Sequence, residues 1–432
     1  MTALRGELLD AYARTRRRTE QRAAPLSAED QMVQSMPDAS PAKWHRAHTT
    51  WFFETFVLAP RGVPAHDPRW GVLFNSYYES VGPRHERPRR GMLSRPSVEE
   101  VAAYREAVDG RVVDLLQQAT PDDLAELAPV VRLGVAHEEQ HQELLLTDVL
   151  HAFSGNPLRP AYRRAPARAP GSGSTAAAPA LRFVPFDGGL CSIGAREDEP
   201  FAFDNEGPRH KRWVEPFELA DRLVTIGEVK AFIREGGYQS PLLWLSEGWD
   251  FVRSGALVAP LHARIEGDAW IAFGLDGERQ ARDDEPACHV SFYEADAIAR
   301  WLGARLPTEA EWEAAASTVQ VVEGNFLDSE ALRPLPARAA GAAPSRATQP
   351  ASLHQLYGDT WEWTRSSYDP YPSYSPSRGA IGEYNGKFMV SQLVLRGGSC
   401  FTPGGHVRPS YRNFWPPATR FQVTGIRLAK DR

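Results

Sequence analysis

Cysteine is scarce in this sequence, with three residues among 432. Three thiols are too few for a disulfide framework or a four-cysteine zinc site, and such scarcity is typical of proteins from a reducing compartment. No apolar run reaches the roughly 18 residues that a membrane-spanning helix needs. The N-terminus is charged and polar, so it predicts no signal peptide. We therefore expect a cytoplasmic protein with no membrane partner.

An excess of basic charge is also missing. Lysine and arginine together number 49 against 55 acidic residues, which gives a net charge of −6. A nucleic-acid binder usually presents a basic face, and the arginine runs here are short and separate, as on a solvated surface. We therefore expect no nucleic-acid partner. Nothing in the sequence indicates an oligomeric state.

The first 158 residues have the pattern of a helical domain. Apolar spacing predicts helices over residues 4–22, 43–57 and 129–152. The segment Ser97-Val98-Glu99-Glu100 has the form of a capping box, which predicts that another helix begins there. Four helices separated by loops are typical of an up-down bundle.

The remaining chain changes character twice. Residues 159–180 are rich in proline, alanine, glycine and serine, which predicts a flexible linker. From residue 181 to residue 432, short apolar runs alternate with turn signals, and helix patterns are clearest over 226–236 and 293–303. The expected fold class is therefore multidomain, with an α bundle followed by an irregular α+β domain.

A histidine pair in the last bundle helix is the most informative chemical feature. His137 and His141 are four residues apart, so they lie on one helical face and can direct two imidazoles at one point. His48 is the best candidate for a third ligand because it sits beside apolar Trp51, and His45, one turn earlier, is its competitor. Three imidazoles suit iron, zinc, copper or nickel and leave open positions on the ion.

The same helix raises an alternative. The run from His137 to His141 also fits H-E-x-x-H, the pattern of zinc proteases in which the glutamate is the general base. A metzincin would need glycine and histidine where this chain has Leu144 and Thr147. A glutamate ligand shortly downstream is also missing, since no acidic residue lies between Asp148 and Asp187. A zinc metallohydrolase is therefore the weaker interpretation.

With these residues the chain resembles a known family, the ergothioneine-biosynthesis sulfoxide synthases (hercynine oxygenases), together with the closely related selenoneine synthases. The N-terminal part resembles their DinB-like four-helix bundle, and His48, His137 and His141 fall on its three iron-ligand positions. The C-terminal part is similar to the formylglycine-generating-enzyme-like (sulfatase-modifying-factor) domain, which is related to C-type lectins. The segments that carry this second likeness are Phe186–Gly189, Asn205–His210, Arg305–Glu313, Gly358–Trp363 and Leu395–Cys400.

The resemblance also implies catalytic and substrate-binding residues in the bundle. Tyr77 and Tyr78 match a tyrosine pair of one subgroup, in which a tyrosine donates a proton during dioxygen reduction, and we favour Tyr78. Gln140, between the metal histidines, is expected to hydrogen-bond the acceptor imidazole. Of the arginines after the tyrosine pair, we expect Arg87 and Arg90 to bind the carboxylate of the sulfur donor through a bidentate fork.

The expected acceptor is hercynine, a trimethylated histidine whose quaternary amine suits aromatic walls. Asn413, Phe414 and Trp415 lie where the family forms its hercynine pocket. The implied cofactor is Fe(2+), and the implied small-molecule partners are hercynine, O2 and a thiol or selenium donor.

Two larger aromatics, Phe401 and Trp415, stand where sulfur-using members usually have alanine and phenylalanine. They leave three donors open: free cysteine, a cysteine peptide or a seleno-sugar. A non-catalytic metal-bearing binding protein stays an alternative. An ovothiol-type synthase is disfavoured because the chain has no third domain and no glycine-rich nucleotide loop.

Overall fold

The computed structural model describes residues 2–163, 178–319, 321–337 and 353–432. Most of the predicted linker, residues 164–177, lies outside the described residues. The chain forms two compact units. The bundle unit contains Met1–Tyr162 and Pro376–Tyr384, and the sheet unit contains Arg163–Ser375 and Asn385–Arg432. The sequence did not indicate the return of 376–384 to the first unit, and the domain bounds 1–158, 159–180 and 181–432 stay a prediction.

Four long helices and one short helix build the bundle unit. They are α1 (Thr2–Ala23), α2 (Ala42–Phe53), the short α3 (Trp70–Phe74), α4 (Val98–Gln118) and α5 (Pro121–Gly155). The predicted capping box opens α4: the Ser97 hydroxyl accepts from the Glu100 amide, and the Glu100 carboxylate accepts from the Ser97 amide. None of the helices in the described ranges is long and apolar enough to cross a membrane.

Two helix ends differ from the predicted ones. Helix α5 begins at Pro121, eight residues before the expected start at residue 129, because Thr120 and Asp123 form a second capping box with proline at the first position. Pro129 is accommodated inside the helix. Helix α2 ends at Phe53 and continues as a π-helical turn over Glu54–Leu58.

A glycine allows α2 and α5 to lie close together. A Cβ atom built on Gly134 would lie 2.5 Å from Cε1 of Phe53, well inside the contact limit. Gly134 precedes His137 by three residues, so the close approach occurs about one helical turn from the histidine pair of α5. The surrounding core is apolar and includes Leu8, Tyr104 and Val131.

A buried ion network joins α5 to α1 and α4. Glu138 is 0% exposed and accepts from Arg16 Nη1 at 2.7 Å, Arg105 Nη2 at 2.9 Å and Thr19 Oγ1 at 2.6 Å. Burial alone would raise the pKa of Glu138, but the charges of Arg16 and Arg105 outweigh it and lower the pKa to about 2. The carboxylate is therefore permanently charged at neutral pH and orients α5 in the bundle.

The sheet unit contains small antiparallel sheets, of which one gains a parallel strand. The strands are β1 (Phe183–Phe186), β2 (Gly189–Ile193), β3 (His210–Val214), β4 (Phe217–Ala220), β5 (Ala263–Glu266), β6 (Ala269–Gly274), β7 (Gly277–Gln280), β8 (Trp361–Ser367), β9 (Leu393–Arg396), β10 (Asn413–Trp415), β11 (Thr424–Gly425) and β12 (Ala429–Asp431). They form sheets with the strand orders β1-β4-β12, β10-β9-β8-β11, β2-β3 and β5-β6-β7, with β11 parallel to β8. The helices are α6 (Ile226–Arg234), α7 (Ser246–Arg253), α8 (Phe292–Trp301) and α9 (Glu309–Ala316).

The motifs of the sheet unit have structural roles. Thr308 and Glu311 form the capping box of α9. Trp312 is fully buried and donates its indole N–H to Glu362 of β8 at 2.6 Å. Glu362 also pairs with buried Arg427. These contacts hold α9 against the sheet that contains β8. The residues of these motifs therefore stabilise the packing of the sheet unit.

Replacing Glu138 with alanine should destabilise the bundle by about 3 kcal/mol, the lower end for breaking a buried ion pair, because Arg16 and Arg105 would keep only the partly exposed carboxylates of Asp109 and Glu20. Urea and thermal unfolding followed by circular dichroism would measure the loss. The matched control is Glu126→Ala on the same helix, where the side chain is 78% exposed and the effect should stay within about 0.5 kcal/mol. Equal losses in the two variants would contradict the importance of the network.

Candidate metal centre

Three imidazoles converge inside the bundle unit. His48 comes from α2, and His137 and His141 come from α5. Each offers one nitrogen, and the three nitrogens lie within 4.8 Å of one another. Nε2 of His48 is 3.1 Å from Nε2 of His137. Two nitrogens bound at about 2.1 Å to one ion, at a right angle, would lie about 3 Å apart, so the spacing suits a shared metal.

Hydrogen bonding prepares His48 to be a ligand. Its Nδ1 lies 2.6 Å from the carbonyl oxygen of Phe74. A carbonyl only accepts, so Nδ1 carries the proton and Nε2 of the neutral ring keeps its lone pair. Trp44 stacks on the same ring, with centroids 4.5 Å apart. The ring is therefore held in both its orientation and its tautomer.

Burial keeps the three rings neutral. Loss of hydration lowers the pKa of His137 to about 3 and holds the pKa values of His48 and His141 well below the usual value. The neighbouring rings lower the pKa values of His48 and His141 further. Neutral imidazole is the form that binds metal, so the donor set fits an ion at neutral pH.

His45, the competing histidine, has a different position. Its Nε2 lies 3.0 Å from Oδ2 of Asp148, and its Nδ1 lies 2.8 Å from Nδ1 of His141. The His45 ring therefore hydrogen-bonds to His141 and does not itself belong to the three-histidine cluster. His48 joins the three-histidine cluster, and the assignment of the ion itself to these ligands stays a prediction.

The zinc-protease alternative requires Glu138 to activate a water molecule at the metal. Both of its carboxylate oxygens are instead occupied by Arg16, Arg105 and Thr19, and its pKa is lowered to about 2. A carboxylate with so low a pKa is a weak base, and this one faces α1 and α4. It is therefore unsuited to accept a proton from a metal-bound water. The geometry thus argues against the hydrolase interpretation, although the sequence pattern fits it.

The predicted tyrosine pair lies in the bundle unit. Tyr78 is fully buried, which raises its pKa, so the phenol stays protonated. Tyr77 stacks on it with centroids 4.5 Å apart, and the two hydroxyl oxygens are 3.4 Å apart. Trp51, which stacks on His48, has its centroid 5.7 Å from that of Tyr78. Trp51 therefore contacts both His48 and Tyr78 and connects the tyrosine pair to the histidine cluster.

A third tyrosine, Tyr384, which the sequence did not predict, lies next to the histidine cluster. The ring centroid of Tyr384 is 5.6 Å from that of His137 and 6.3 Å from that of Tyr77. Its hydroxyl donates to Oε1 of Gln140. Glu383 holds the segment in place by accepting from the amides of Glu79 and Ser80 at 2.9 Å. No motif or spacing around Tyr384 signals this position, because the segment reaches the bundle unit from far along the chain.

The two predicted arginines differ in their surroundings. Arg87 is exposed and donates to the carbonyl of Asp38. Arg90 is buried with its guanidinium carbon 3.4 Å from the ring centroid of Trp44, and it donates to the hydroxyls of Ser40 at 3.0 Å and Ser76 at 3.1 Å.

Burial, followed by the charge of Arg87, lowers the pKa of Arg90 to about 8. Within the described ranges, no carboxylate forms an ion pair with Arg90. Its Nε also has no hydrogen-bond partner there. A buried cation in this state favours an anionic ligand.

The predicted hercynine-binding residues lie in the sheet unit. Asn413, Phe414 and Trp415 form β10, which pairs with β9, and all three are partly exposed. Phe414 stacks on Tyr368 with centroids 4.0 Å apart and 12° between the planes. The strand therefore offers an aromatic surface, and its role in binding stays a prediction.

Both the N-terminal and the C-terminal part of the chain match known protein families. Residues 172–432 match the sulfatase-modifying factor enzyme 1-like domain, and residues 11–145 match the DinB superfamily. The chain is 34% identical over 450 residues to a hercynine oxygenase of Mycolicibacterium thermoresistibile, covering 98% of this chain and 94% of the relative. It is 33% identical to a hercynine oxygenase of Mycolicibacterium smegmatis, covering 91% and 92%.

A formylglycine-generating enzyme of Streptomyces coelicolor is 28% identical, and that match covers 57% of this chain. The predicted fold class, a DinB-like helical domain followed by a formylglycine-generating-enzyme-like domain, is confirmed.

Replacing His137 with alanine should abolish stoichiometric binding of iron(II), because two imidazoles would remain where three converge. Competition with a coloured chelator would measure the affinity. His151→Ala on the same helix is the matched control, since its Nδ1 contacts the Ser35 hydroxyl away from the cluster. Retention of wild-type affinity by the His137 variant would show that the ligand assignment is wrong.

Proposed function

Since this chain belongs to the hercynine oxygenase family, we propose that it is an iron(II)- and O2-dependent enzyme that joins sulfur or selenium to the imidazole of hercynine. The observation that carries the proposal is the cluster of three neutral imidazoles from α2 and α5. Imidazole suits iron, and three ligands leave positions open for substrates. Iron(II), when bound, would supply the redox chemistry that O2 requires, while the chain orients the substrates and moves protons.

Arg90 is the proposed anchor for the carboxylate of the chalcogen donor. It is a buried cation whose Nε has no hydrogen-bond partner among the described residues, so an anion could accept a hydrogen bond there. Its fork of N–H groups matches a carboxylate. Arg87, exposed three residues earlier in the same 3-10 helix, adds positive charge near Arg90. The donor is thus expected to be a carboxylate-bearing thiol, and a seleno-sugar, which lacks that group, provides the contrasting case.

Hercynine is the proposed acceptor. Its quaternary amine suits the aromatic surface of Phe414 and Trp415, and Asn413 adds a polar contact. In the bundle unit, Gln140 lies between two proposed ligands along α5. Its amide nitrogen is a donor suited to an imidazole nitrogen, and its amide oxygen accepts from Tyr384. Gln140 thereby is proposed to orient the acceptor ring next to a phenol.

Proton delivery is proposed to come from the phenols of Tyr77, Tyr78 and Tyr384. Burial keeps the hydroxyl of Tyr78 protonated, and the Tyr77 and Tyr78 hydroxyls are within reach of one another. Tyr384 has the ring nearest to a proposed ligand, at 5.6 Å from His137. We therefore propose that Tyr384, rather than the favoured Tyr78, is the immediate proton donor. Tyr77 and Tyr78 are proposed to supply protons behind it.

The central test supplies the iron(II)-loaded protein with hercynine, O2 and one donor at a time: cysteine, a cysteine peptide or a seleno-sugar. Mass spectrometry should find a product in which the imidazole carbon between the nitrogens carries sulfur or selenium, and the successful arm identifies the donor. Oxygen uptake should depend on hercynine. Absence of uptake and product in every arm would favour a non-catalytic metal-bearing binding protein.

Replacing Arg90 with methionine should raise the KM for a carboxylate-bearing donor by about 10- to 150-fold, the equivalent of the 1.5–3 kcal/mol of a lost charged hydrogen bond. The KM for hercynine should not change. Arg89→Met, at the exposed neighbouring position, is the matched control and should leave both values unaltered. An unchanged donor KM in the Arg90 variant would exclude it from donor binding.

Replacing Tyr384 with phenylalanine should slow bond formation by about 10²–10⁴-fold, the usual contribution of a positioned acid, while iron affinity stays at the wild-type level. Tyr77→Phe and Tyr78→Phe are the comparison variants and should lose less activity. Single-turnover measurements separate this step from product release. If all three variants turned over like wild type, the phenols would not be the proton source.

A further inference from the structure

Asp148, His45 and His141 form a hydrogen-bonded chain behind the metal centre. Nε2 of His45 is 3.0 Å from Oδ2 of Asp148, and Nδ1 of His45 is 2.8 Å from Nδ1 of His141. His45 is 2% exposed and Asp148 is 6% exposed, so water does not compete strongly for these contacts. His45 belongs to α2 and the other two belong to α5, so the chain also bridges the helices that provide the ligands.

The positions of the protons follow from the donor and acceptor types. A carboxylate oxygen accepts, so Nε2 of His45 carries a proton. A neutral imidazole has one donor and one acceptor, which makes Nδ1 of His45 an acceptor. The partner atom, Nδ1 of His141, must then carry its own proton. Nε2 of His141 is consequently the nitrogen with a lone pair.

We propose that His45 and Asp148 are positioning residues that hold His141 in the Nδ1-protonated tautomer, so that Nε2 is its metal-binding atom. The proposal rests on the metal centre of the proposed function. The Asp148 carboxylate accepts from Nε2 of His45 and so selects the tautomer of the neutral ring in which Nδ1 is the acceptor that faces His141.

The anchor of this chain is itself fixed. Oδ2 of Asp148 also accepts from the backbone amide of Ser40 at 2.8 Å. The hydroxyl of Ser40 accepts from Nη1 of Arg90 at 3.0 Å. The carboxylate therefore cannot rotate away without losing a backbone hydrogen bond.

The three proposed ligands are thus supported differently. His48 is oriented by a backbone carbonyl, and His141 is oriented by a side-chain relay. Nδ1 of His137 has no hydrogen-bond partner among the described residues. Substitutions at His45 should accordingly act on His141 and leave His48 in place.

Two variants separate this role from packing. His45→Leu introduces an apolar side chain of similar size and removes the acceptor nitrogen Nδ1. His45→Asn places Oδ1 near the former Nδ1 and can still accept from His141. We expect the leucine variant to bind iron(II) and zinc(II) about 10- to 100-fold more weakly in chelator competition. The asparagine variant should stay close to wild type. A packing role predicts the opposite order and would overturn the proposal.

A second measurement needs no substitution, so a misfolded variant cannot leave the proposal unresolved. In zinc-loaded protein with 15N-labelled histidine, long-range 1H–15N correlations distinguish a protonated nitrogen from a metal-bound one. We expect Nδ1 of His141 to be protonated and Nε2 to be bound. Binding through Nδ1 would refute the assignment.

The outcomes also separate the two proposals. If the wild-type chain bound neither iron(II) nor zinc(II), the metal centre would be wrong and the positioning role would fall with it. If wild type bound metal and His45→Leu bound it equally well, the proposed function would stand and the role of His45 would be refuted. His151→Leu on α5 controls for the loss of a histidine on a helix that carries ligands.

Discussion

The buried ion network around Glu138 is the constraint on which the bundle unit depends. Glu138 adjoins His137 on α5, and consecutive residues point about 100° apart around a helix. Arg16 of α1 and Arg105 of α4 hold the carboxylate, so α5 cannot rotate about its axis without exposing charges to an apolar interior. With α5 so oriented, His137 and His141 face α2. Gly134 then allows α2 close enough for His48 to complete the cluster.

Sequence spacing went far in predicting the candidate site. A pair of histidines four apart on one helix needs only helical geometry, and His48 could be preferred from its apolar neighbours. The spacing of residues in the sequence could not predict which hydrogen-bond partner each polar side chain would have. The pattern from His137 to His141 allowed a general base at Glu138, but only the fold reveals that arginines from two other helices occupy it. The role of His45 was hidden for the same reason, because its partner Asp148 lies on another helix.

The fold showed a similar division between local and distant information. The capping box at Ser97 was predicted correctly because all of its atoms lie within one turn of chain. Helix α5 starts earlier than the predicted residue 129 because the capping box at Thr120 opens it, and Pro129 is accommodated inside the helix. In the sheet unit, α7 and α9 escaped prediction. Helix α9 is short, and buried contacts such as Trp312 with Glu362 stabilise it.

The return of residues 376–384 to the bundle unit has a consequence for any attempt to dissect the gene. The first 162 residues contain every histidine of the cluster, so a fragment of that length would keep all three proposed ligands. It would nevertheless lack Tyr384 and the carboxylate of Glu383 that secures the loop after the tyrosine pair. A single cut after residue 162 would therefore separate the histidine cluster from the phenol that is proposed to deliver the proton. The two halves of this chain are therefore expected to be inherited together rather than exchanged separately in recombination.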